Sequence, residues 1–313
     1  MQDFRMETFL AVCRFMNFTK AAEKLNITQP AVSQHIRYLE KHYGTKLFLY
    51  EGKKLKLTSA GELLRSAGLT MKHDEISLKG QMGQSEKEVS DIYFGATMTV
   101  GEVVMGRVLE RYLREFPNAH LHMEVANTSE LLKKLDNGNI DFALVEGFFQ
   151  KNEYEFLYYS TENYIAVAAP DYHFHNQPHN SGKSRRLEEL FKERLLLRES
   201  GSGTREVLER FLDSQNFGIS DFEKTAEIGS LQTIKELTKS GCGITFLYET
   251  AVVEELKQGK LKKIELENFQ ITHDFTFIWR RGSIYGDTYR QLFSRFMQKS
   301  DTKRDASKGT GTN

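Results

Sequence analysis

The sequence of 313 residues contains little of several features that define whole classes of protein. It has two cysteines, Cys13 and Cys242, which are far apart in the chain, so a disulfide framework is excluded and a reducing compartment is favoured. No apolar run approaches the ~18 residues needed to span a bilayer, and the first residues lack the charged-then-apolar pattern of a secretion signal. We therefore expect a soluble, cytoplasmic protein with no membrane partner. For Cys242, which lies between two glycines, a redox-sensing thiol is the less favoured alternative.

Known catalytic motifs are also absent from the sequence. The run Gly-Ser-Gly-Thr at 201–204 lacks the Lys-Ser/Thr ending of a phosphate-binding loop, and no Gly-x-Ser-x-Gly, Cys-x-x-Cys or His-Glu-x-x-His pattern occurs. His173, His175 and His179 lie in a polar stretch typical of a surface loop, which makes a metal site the less favoured interpretation. We expect no catalytic residues, no metal and no cofactor. An α/β enzyme, or a solute-binding protein with an appended helical domain, is the alternative.

The chain as a whole has no excess of charge of either sign, because 43 Lys and Arg residues balance 43 Asp and Glu residues. The distribution of charge along the chain is nevertheless uneven. Residues 1–65 contain 11 basic and 6 acidic side chains, a net charge of +5, so the remaining residues carry −5. A basic end on a neutral chain is typical of a protein that binds nucleic acid with one of its domains.

Residues 15–43 have the pattern of two helices joined by a tight turn. The first predicted helix covers 20–25, with Thr19 as its N-cap and small apolar residues on its inner face. A two-residue turn follows. Thr28 is predicted to cap the second helix, and Pro30 lies in its first turn, where a missing N–H group costs nothing.

The second helix has two faces, and on one of them apolar residues recur at spacings of four, three and four, which predicts inward packing. At about 100° per residue, Gln29, Ser33 and Arg37 fall on another face, and these side chains suit base edges and phosphates. No acidic residue lies between Glu23 and Glu40, so nothing on this surface repels phosphate. Taken alone, the stretch also fits an ordinary helical hairpin with a solvated polar face. The apolar stripe consists of Val32, Ile36, Leu39 and Tyr43.

After a glycine that ends this helix, two short predicted strands at 47–50 and 55–58 enclose a basic turn, as in a winged helix. The order AAEKLNITQPAVSQHIRYLE, then GTKLF, then LTSAG resembles the N-terminal domain of the LysR-type transcriptional regulators over about 60 residues. The resemblance implies a sequence-specific regulator whose partner is double-stranded promoter or operator DNA. One departure is Tyr50, where the family often has an arginine. The candidate DNA-binding residues are Thr28, Gln29, Pro30, Ser33, Gln34 and Arg37 in the helix, and Lys53 and Lys54 on the wing.

A long helix is predicted over 59–87, capped either by Thr58 or by a capping box between Ser59 and Glu62. Apolar residues keep near-heptad spacing along most of it, although Glu75 interrupts the stripe. Because this helix has no evident partner in its own chain, we expect a second copy to cover it, in a homodimer or homotetramer that holds two DNA-reading helices at a fixed spacing. A lone solvated linker is the alternative. The stripe consists of Leu64, Ala67, Met71, Leu78 and Met82.

From about residue 88 strands alternate with helices, which predicts a parallel sheet with helices on both faces. Two of the predicted elements are a strand at 164–169 and a helix at 187–192. The fold class is therefore α+β overall, with a winged helix-turn-helix, a long helix and an α/β domain. The resemblance implies that this last domain has two lobes, like a periplasmic solute-binding protein, with an effector cleft between them. The implied limits are 1–58, 59–87 and 88–300, with lobe I at 88–162 and 269–300, lobe II at 163–268, and a disordered tail at 301–313.

Three segments follow predicted strands and open helices, which is where open α/β sheets bind ligands. They offer hydroxyls, backbone N–H groups and arginine without a large apolar pocket, which favours a small anion or carboxylate as the effector. Ordinary helix capping also explains each segment singly. The resemblance adds that the hydroxyls look like effector contacts in the cysteine-biosynthesis members, and that the run at 198–205 resembles a subset linked to sulfite, so a sulfur oxyanion is the first choice. The candidate effector-binding residues are Thr97, Thr99, Glu146, Ser202, Thr204 and Arg205.

Glu146 is at odds with an anionic ligand. A carboxylate repels an anion and prefers an ammonium group, unless Arg198 or Arg205 neutralises it. Binding is expected to shift the lobes and, through the oligomer, the spacing of the DNA-reading helices. For that, the effector must bind one conformational state more tightly than the other.

Overall fold

The computed structural model describes residues 3–83, 91–175 and 184–297. His179, the end of the predicted linker at 84–87 and the predicted tail at 301–313 lie outside the described residues. The chain forms a small helical unit with a two-stranded wing, one long helix and a larger α/β unit, which confirms the α+β class. The first elements are α1 (Phe4–Phe15), α2 (Phe18–Leu25), α3 (Gln29–Tyr43), β1 (Phe48–Glu51) and β2 (Lys54–Leu57), followed by the long helix α4 (Ser59–Gly83).

The three N-terminal helices pack around a small apolar core in which Phe9, Val12 and Ile36 are buried. These residues recur on one face of each helix, so burying them fixes the angle at which α3 leaves α1. Tyr43 was predicted to join this core, but it is 49% exposed because α3 runs one turn past its last buried residue, Leu39.

The caps of α2 and α3 set the turn between them. Asn17, rather than Thr19, caps α2, and its side chain accepts a hydrogen bond from the Lys20 N–H group at 3.0 Å. The helix therefore begins two residues earlier than predicted. Thr28 caps α3 as predicted, accepting from the Ala31 N–H group at 3.3 Å.

Thr58 joins the wing to α4. Its hydroxyl donates to the Lys46 carbonyl at 2.6 Å and accepts from the Gly61 N–H group at 3.0 Å. Thr58 is thus the cap of α4, and the alternative capping box between Ser59 and Glu62 is not the one formed. The strand that precedes Thr58 is held against the start of the long helix.

Contrary to the prediction, α4 has a partner in its own chain. Thr70 Oγ1 donates to the Arg281 carbonyl at 3.0 Å, and His73 Nε2 lies 3.1 Å from the Ile140 carbonyl oxygen. These contacts come from a polar stripe at spacings of four, three and four, which a search for apolar periodicity cannot detect. The predicted apolar stripe lies elsewhere on the helix, and its members Met71, Leu78 and Met82 are exposed. The docking stripe consists of Ser66, Thr70, His73 and Ser77.

The larger unit is built from nine strands and a set of short helices in the described residues. The strands are β3 (Ile92–Ala96), β4 (Leu121–Val125), β5 (Phe142–Val145), β6 (Tyr154–Ala168), β7 (Arg194–Leu197), β8 (Lys224–Glu227), β9 (Ile244–Tyr248), β10 (Lys262–Ile264) and β11 (Ile271–Arg280). The α-helices are α5 (Met105–Glu115), α6 (Thr128–Asp136), α7 (Gly203–Ser214), α8 (Leu231–Lys239), α9 (Val253–Lys257) and α10 (Gly286–Met297). A π-helical turn, Val100–Val104, precedes α5, and the helix predicted at 187–192 is a 3₁₀ turn, Leu187–Leu190.

These strands form one mixed sheet in the order β4-β3-β5-β11-β6-β9-β7-β8, with β10 paired to β6, rather than the parallel sheet that was predicted. β3 is parallel to β4 and β5 in one half, and β7 is parallel to β8 and β9 in the other. β6 is 15 residues long, starts ten residues before the predicted strand and pairs antiparallel with β11 along both halves. The two halves are therefore joined by a pair of crossing strands, and the carboxyl ends of β3, β5 and β7 lie near the junction.

Candidate functional site

The first candidate surface is the exposed face of α3. Among the predicted DNA-binding residues, Thr28, Gln29, Pro30, Gln34 and Arg37 are exposed and Ser33 is half-buried. Gln29 Nε2 donates to Ser33 Oγ at 2.9 Å, and this hydrogen bond holds the two side chains together on the same face of α3.

The wing places its basic tip at the surface. Lys53 and Lys54 are exposed, and in the described part of the chain neither forms an ion pair, whereas Lys56 is paired with Glu51 across the hairpin. Tyr50, which departs from the family pattern, is exposed on the same hairpin. Free ammonium groups at this position suit contact with a phosphate backbone.

Two contacts that were not predicted hold α3 against α1. Thr8 Oγ1 lies 2.9 Å from His35 Nδ1, and the Phe4 ring packs edge-on against the His35 ring at 4.9 Å between centroids. Both contacts come from the side of α3 opposite to Gln29 and Arg37. The exposed face is thereby held outward on a rigid support.

The second candidate site lies at the junction of the two halves of the sheet. Thr99, Glu146 and Thr204 come from three separate segments, and the structure brings them together. Thr204 Oγ1 donates to Glu146 Oε1 at 2.8 Å, and the Thr99 and Thr204 hydroxyl oxygens are 3.4 Å apart. Tyr248 Oη donates to the Glu146 carbonyl at 3.3 Å, which fixes this residue from the other side.

Two glycines allow these segments to approach closely. A Cβ atom on Gly203 would lie 2.7 Å from the Gly147 Cα atom, and one on Gly147 would lie 2.2 Å from Thr128 Oγ1. The start of α7, the loop after β5 and the start of α6 therefore meet without side chains between their backbones. Ser202 lies at the N-cap of α7, and its hydroxyl makes no capping hydrogen bond.

Around this meeting point are buried polar atoms with no hydrogen-bond partner among the described residues. An unpaired buried polar group costs about 1–3 kcal/mol, so several of them at one place indicate a site that a ligand completes. Three are hydroxyls and one is a guanidinium nitrogen, and all four of these groups can donate to an acceptor-rich ligand. The atoms are Thr97 Oγ1, Thr128 Oγ1, Glu146 Oε2, Arg198 Nη1 and Ser202 Oγ.

Two charged side chains, Glu146 and Arg198, lie at this meeting point, and they differ in how freely they can contact a ligand. Burial raises the pKa of Glu146, an effect that the hydroxyls of Thr99 and Thr204 and the positive charge of Arg198 oppose. Arg198 is itself held by Glu199, to which its Nε and Nη2 atoms donate at 2.8 and 2.9 Å. Its Nη1 atom alone is free to meet a ligand.

Arg205 is the predicted effector residue that the structure does not bring to this cluster. Its guanidinium pairs with Glu209 at 2.7 Å and with Glu227 at 2.6 Å, and it donates to the Arg198 carbonyl at 3.2 Å. Arg205 lies in the first turn of α7, but its side chain turns toward these two carboxylates. It therefore supports Arg198 from behind.

Thr128 is the cleft residue that the sequence interpretation missed. Asn127 is the N-cap of α6 and accepts from the Glu130 N–H group at 2.9 Å. The Thr128 hydroxyl is therefore free. Its place just after β4 was a signal of the same kind as that used for Thr97.

His175, one of the three histidines considered as metal ligands, is engaged by a carboxylate. His175 Nδ1 lies 2.9 Å from Glu193 Oε2, and the His175 N–H group donates to the other oxygen of that carboxylate at 2.7 Å. Within 3–83, 91–175 and 184–297, no group of three or more His, Cys, Asp or Glu side chains is arranged to hold a metal ion. No helix in those same residues is long and apolar enough to cross a membrane.

Comparison with known proteins gives consistent assignments for both parts of the chain. Residues 4–62 match the bacterial regulatory helix-turn-helix protein, lysR family, and residues 86–299 match the LysR substrate binding domain. CysL from Bacillus subtilis is 30% identical over 274 residues, covering 87% of this chain and 89% of that protein. The transcriptional activator CmpR from Synechocystis sp. is 30% identical over 292 residues, covering 91% and 92%.

Solved structures share the fold at lower identity. Full-length LysG from Corynebacterium glutamicum, solved with bound effector Arg, has a TM-score of 0.58 at 20% identity and covers 95% of this chain and 97% of that one. The regulatory domain of CcmR from Synechocystis, solved in complex with 2-PG, has a TM-score of 0.57 at 19% identity and covers 66% and 95%. The chain belongs to the LysR family of DNA-binding transcriptional regulators, which are not enzymes, with a helix-turn-helix domain followed by a LysR substrate-binding domain.

Proposed function

We propose that this regulator reads its operator with the exposed face of α3 and responds to a small oxyanion or carboxylate held between the two halves of its α/β unit. A sulfur oxyanion is the first candidate in that class. The observation that carries the proposal is the set of buried, unpartnered donors at the meeting point of α6, α7 and the ends of β3 and β5. The LysG and CcmR structures carry different ligands, so the ligand class of this chain rests on its own cleft residues.

On the DNA side, each candidate residue has a chemical role that its exposure allows. Arg37 can donate twice to guanine, and Gln29 and Gln34 can each pair with the two polar atoms of adenine. Pro30 and Thr28 belong to the first turn of α3, which is nearest to the groove in helix-turn-helix docking. Lys53 and Lys54 are assigned to phosphate, where a point charge is sufficient.

In the cleft, Thr97 and Ser202 supply hydroxyl donors, Thr99 and Thr204 hold Glu146 in position, and Arg198 and Thr128 join them. Arg205 acts through its hydrogen bond to the Arg198 carbonyl.

The proposed division of the chain is 1–58 for DNA binding, 59–87 for the linker and 88–300 for effector binding, with lobe I at 88–162 and 269–300 and lobe II at 163–268. We further propose a cytoplasmic homodimer or homotetramer that pairs through the exposed apolar residues of α4. Two copies are needed because one recognition helix contacts few base pairs.

A thermal-shift screen of the full-length chain tests the effector class. Sulfate, thiosulfate and small carboxylates are expected to raise Tm, because a ligand that binds only the native state stabilises it, whereas basic amino acids are expected to have no effect. Ser202→Ala should lose the response and still bind operator fragments. Ser294→Ala, an exposed serine on α10, is the matched control and should respond like the wild type. Equal responses of wild type and Ser202→Ala would remove the cleft assignment.

A further inference from the structure

Glu146 is a buried acid at the centre of a site that otherwise offers donors. The residue is 1% exposed. One carboxyl oxygen, Oε1, accepts from Thr204, while Oε2 has no hydrogen-bond partner among the described residues. No ion pair to this carboxylate is found in the described chain. An ionised carboxylate in that position would be both unpaired and opposed to an anion.

The groups around Glu146 do not neutralise it. Arg198 is the nearest cation, but Glu199 already takes two of its donors. Tyr164 and Tyr248 face it from β6 and β9, and Glu146 raises the pKa of both phenols further after burial has raised it. His273 on β11 lies close to the Glu146 backbone. Near neutral pH the two tyrosines and His273 are therefore uncharged, and Arg198 is already paired with Glu199.

We propose that Glu146 binds the effector as the neutral acid: the protein takes up one proton together with one oxyanion, and the proton on Oε2 is donated to the bound anion. This inference rests on the proposed function, since it specifies how the same cleft accepts an anion. In the bound state Oε1 still accepts from Thr204, and Oε2 becomes a donor. Each unpartnered polar group of the cleft can then donate a hydrogen bond to the ligand, and Glu146 no longer repels an anion.

The protonated acid also sets the specificity of the cleft. A neutral donor at this position favours fully ionised acceptors such as sulfate-type oxyanions and carboxylates. An ammonium-bearing ligand would need the ionised form, and it would release rather than take up a proton. The sign of the proton exchange therefore distinguishes the two ligand classes.

The direction of the pH dependence follows from burial. Burial raises the pKa of Glu146 in the free protein, and a bound anion raises it further. Affinity is full where Glu146 is protonated in the free protein and falls as pH rises through that raised pKa. Because one proton is linked to binding, Kd is expected to rise by up to about tenfold per pH unit above that point.

Two measurements with sulfate and thiosulfate test the proposal, because neither probe titrates between about pH 5.5 and pH 8.5. Isothermal calorimetry in Tris and in bis-tris, at one pH, gives the number of protons exchanged, and we expect uptake that approaches one. The pH profile of Kd for Glu146→Gln should be flat and close to the low-pH value of the wild type, since the amide keeps a donor without titrating. Glu254→Gln, an exposed carboxylate on α9, should keep the wild-type profile.

The variant His273→Gln tests whether His273, rather than Glu146, causes the pH dependence. Burial lowers the pKa of His273, so its loss should leave the rise of Kd with pH in place.

Anion binding with no proton uptake and no pH dependence would overturn the role of Glu146 while leaving the anion cleft intact. Proton release on binding of an amino acid would overturn it in favour of an ammonium ligand. Failure of every oxyanion to bind would instead count against the proposed function itself. If Glu146→Gln does not fold, the calorimetry of the wild type still decides.

Discussion

The hydroxyl groups of the cleft fall into two kinds. The Thr204 hydroxyl is committed to Glu146 and the Thr99 hydroxyl to that of Thr204, whereas those of Thr97 and Ser202 are buried without a partner among the described residues. A committed hydroxyl stabilises the unliganded protein, and an uncommitted one costs stability that a ligand recovers. Measuring the stability of the free protein and its affinity for the ligand therefore distinguishes the two kinds of hydroxyl.

Thr97→Val removes one uncommitted hydroxyl with little change of volume. We expect the free protein to keep its stability or gain up to about 1 kcal/mol, because an unpaired buried donor is lost. Sulfate or thiosulfate affinity should fall by about 3- to 10-fold, the value of one hydrogen bond. Urea unfolding and calorimetry on the same samples measure the two effects. A loss of stability with unchanged affinity would show that Thr97 is a structural residue.

Arg37 and Lys53 should give different signatures in DNA binding. Arg37→Ala should cost about 1–3 kcal/mol on the specific operator and little on unrelated DNA, since a base contact is removed. Lys53→Ala should weaken both and reduce the slope of log K against log salt by about one phosphate contact. Fluorescence anisotropy over a range of salt concentrations measures both. Identical salt slopes and sequence preferences in the two variants would contradict the docking proposed for α3 and the wing.

Among the elements, the connection between β5 and β6 links the cleft to the long helix. It begins at Glu146 in the cleft and ends at Glu153, which forms an ion pair with Arg65 of α4. Arg280, fully buried at the end of β11, pairs with Glu153 at 3.2 Å and donates to the Ser66 carbonyl of α4 at 2.9 Å. The backbone of this connection therefore joins the cleft to a group of ion-paired side chains that contact the helix carrying the DNA-binding domain.

Arg65→Ala should weaken that link without unfolding the site, because Glu153 keeps its pairing with Arg280. We expect anion affinity within about twofold of the wild type, and a ligand-induced change in operator affinity smaller by about 3- to 10-fold. Titrating operator DNA with and without sulfate measures the coupling. Arg114→Ala, which removes an exposed pair with Glu110, is the control. Full coupling in Arg65→Ala would exclude this path, since spatial continuity alone does not establish coupling.

In the whole molecule, two faces of α4 make different contacts. One docks by hydrogen bonds on the α/β unit, and the other leaves Met71, Leu78 and Met82 exposed. An exposed apolar row on a 25-residue helix favours pairing with a second copy, which would set the spacing of two α3 helices.

Leu78→Glu should therefore lower the oligomeric state, because a charge would be buried at the pairing surface. Light scattering should show the loss of mass, and operator affinity should fall by at least about tenfold as two half-sites become one. Lys79→Gln, the adjacent exposed position, should leave both unchanged. A Leu78→Glu protein of wild-type mass would place the dimer contact on another surface.

The sequence by itself determined the local elements of this protein. Helical spacing, caps and the winged pattern fixed α3 and its exposed Gln29 and Arg37, because these depend on residues close together in the chain. It also predicted that the side chains following β3, β5 and β7 form a candidate ligand site, since side chains that follow strands collect at one edge of a sheet.

Only the tertiary structure decided which of those side chains meet. It joined Thr204 to Glu146, turned Arg205 toward Glu209 and Glu227, and left the buried hydroxyl of Thr128 without a partner among the described residues. It also showed that α4 docks through polar residues, and that β6 and β11 cross between the halves of the sheet. Hydrogen-bond partners far apart in sequence leave no periodic signal, because they are chosen by the packing of the folded chain.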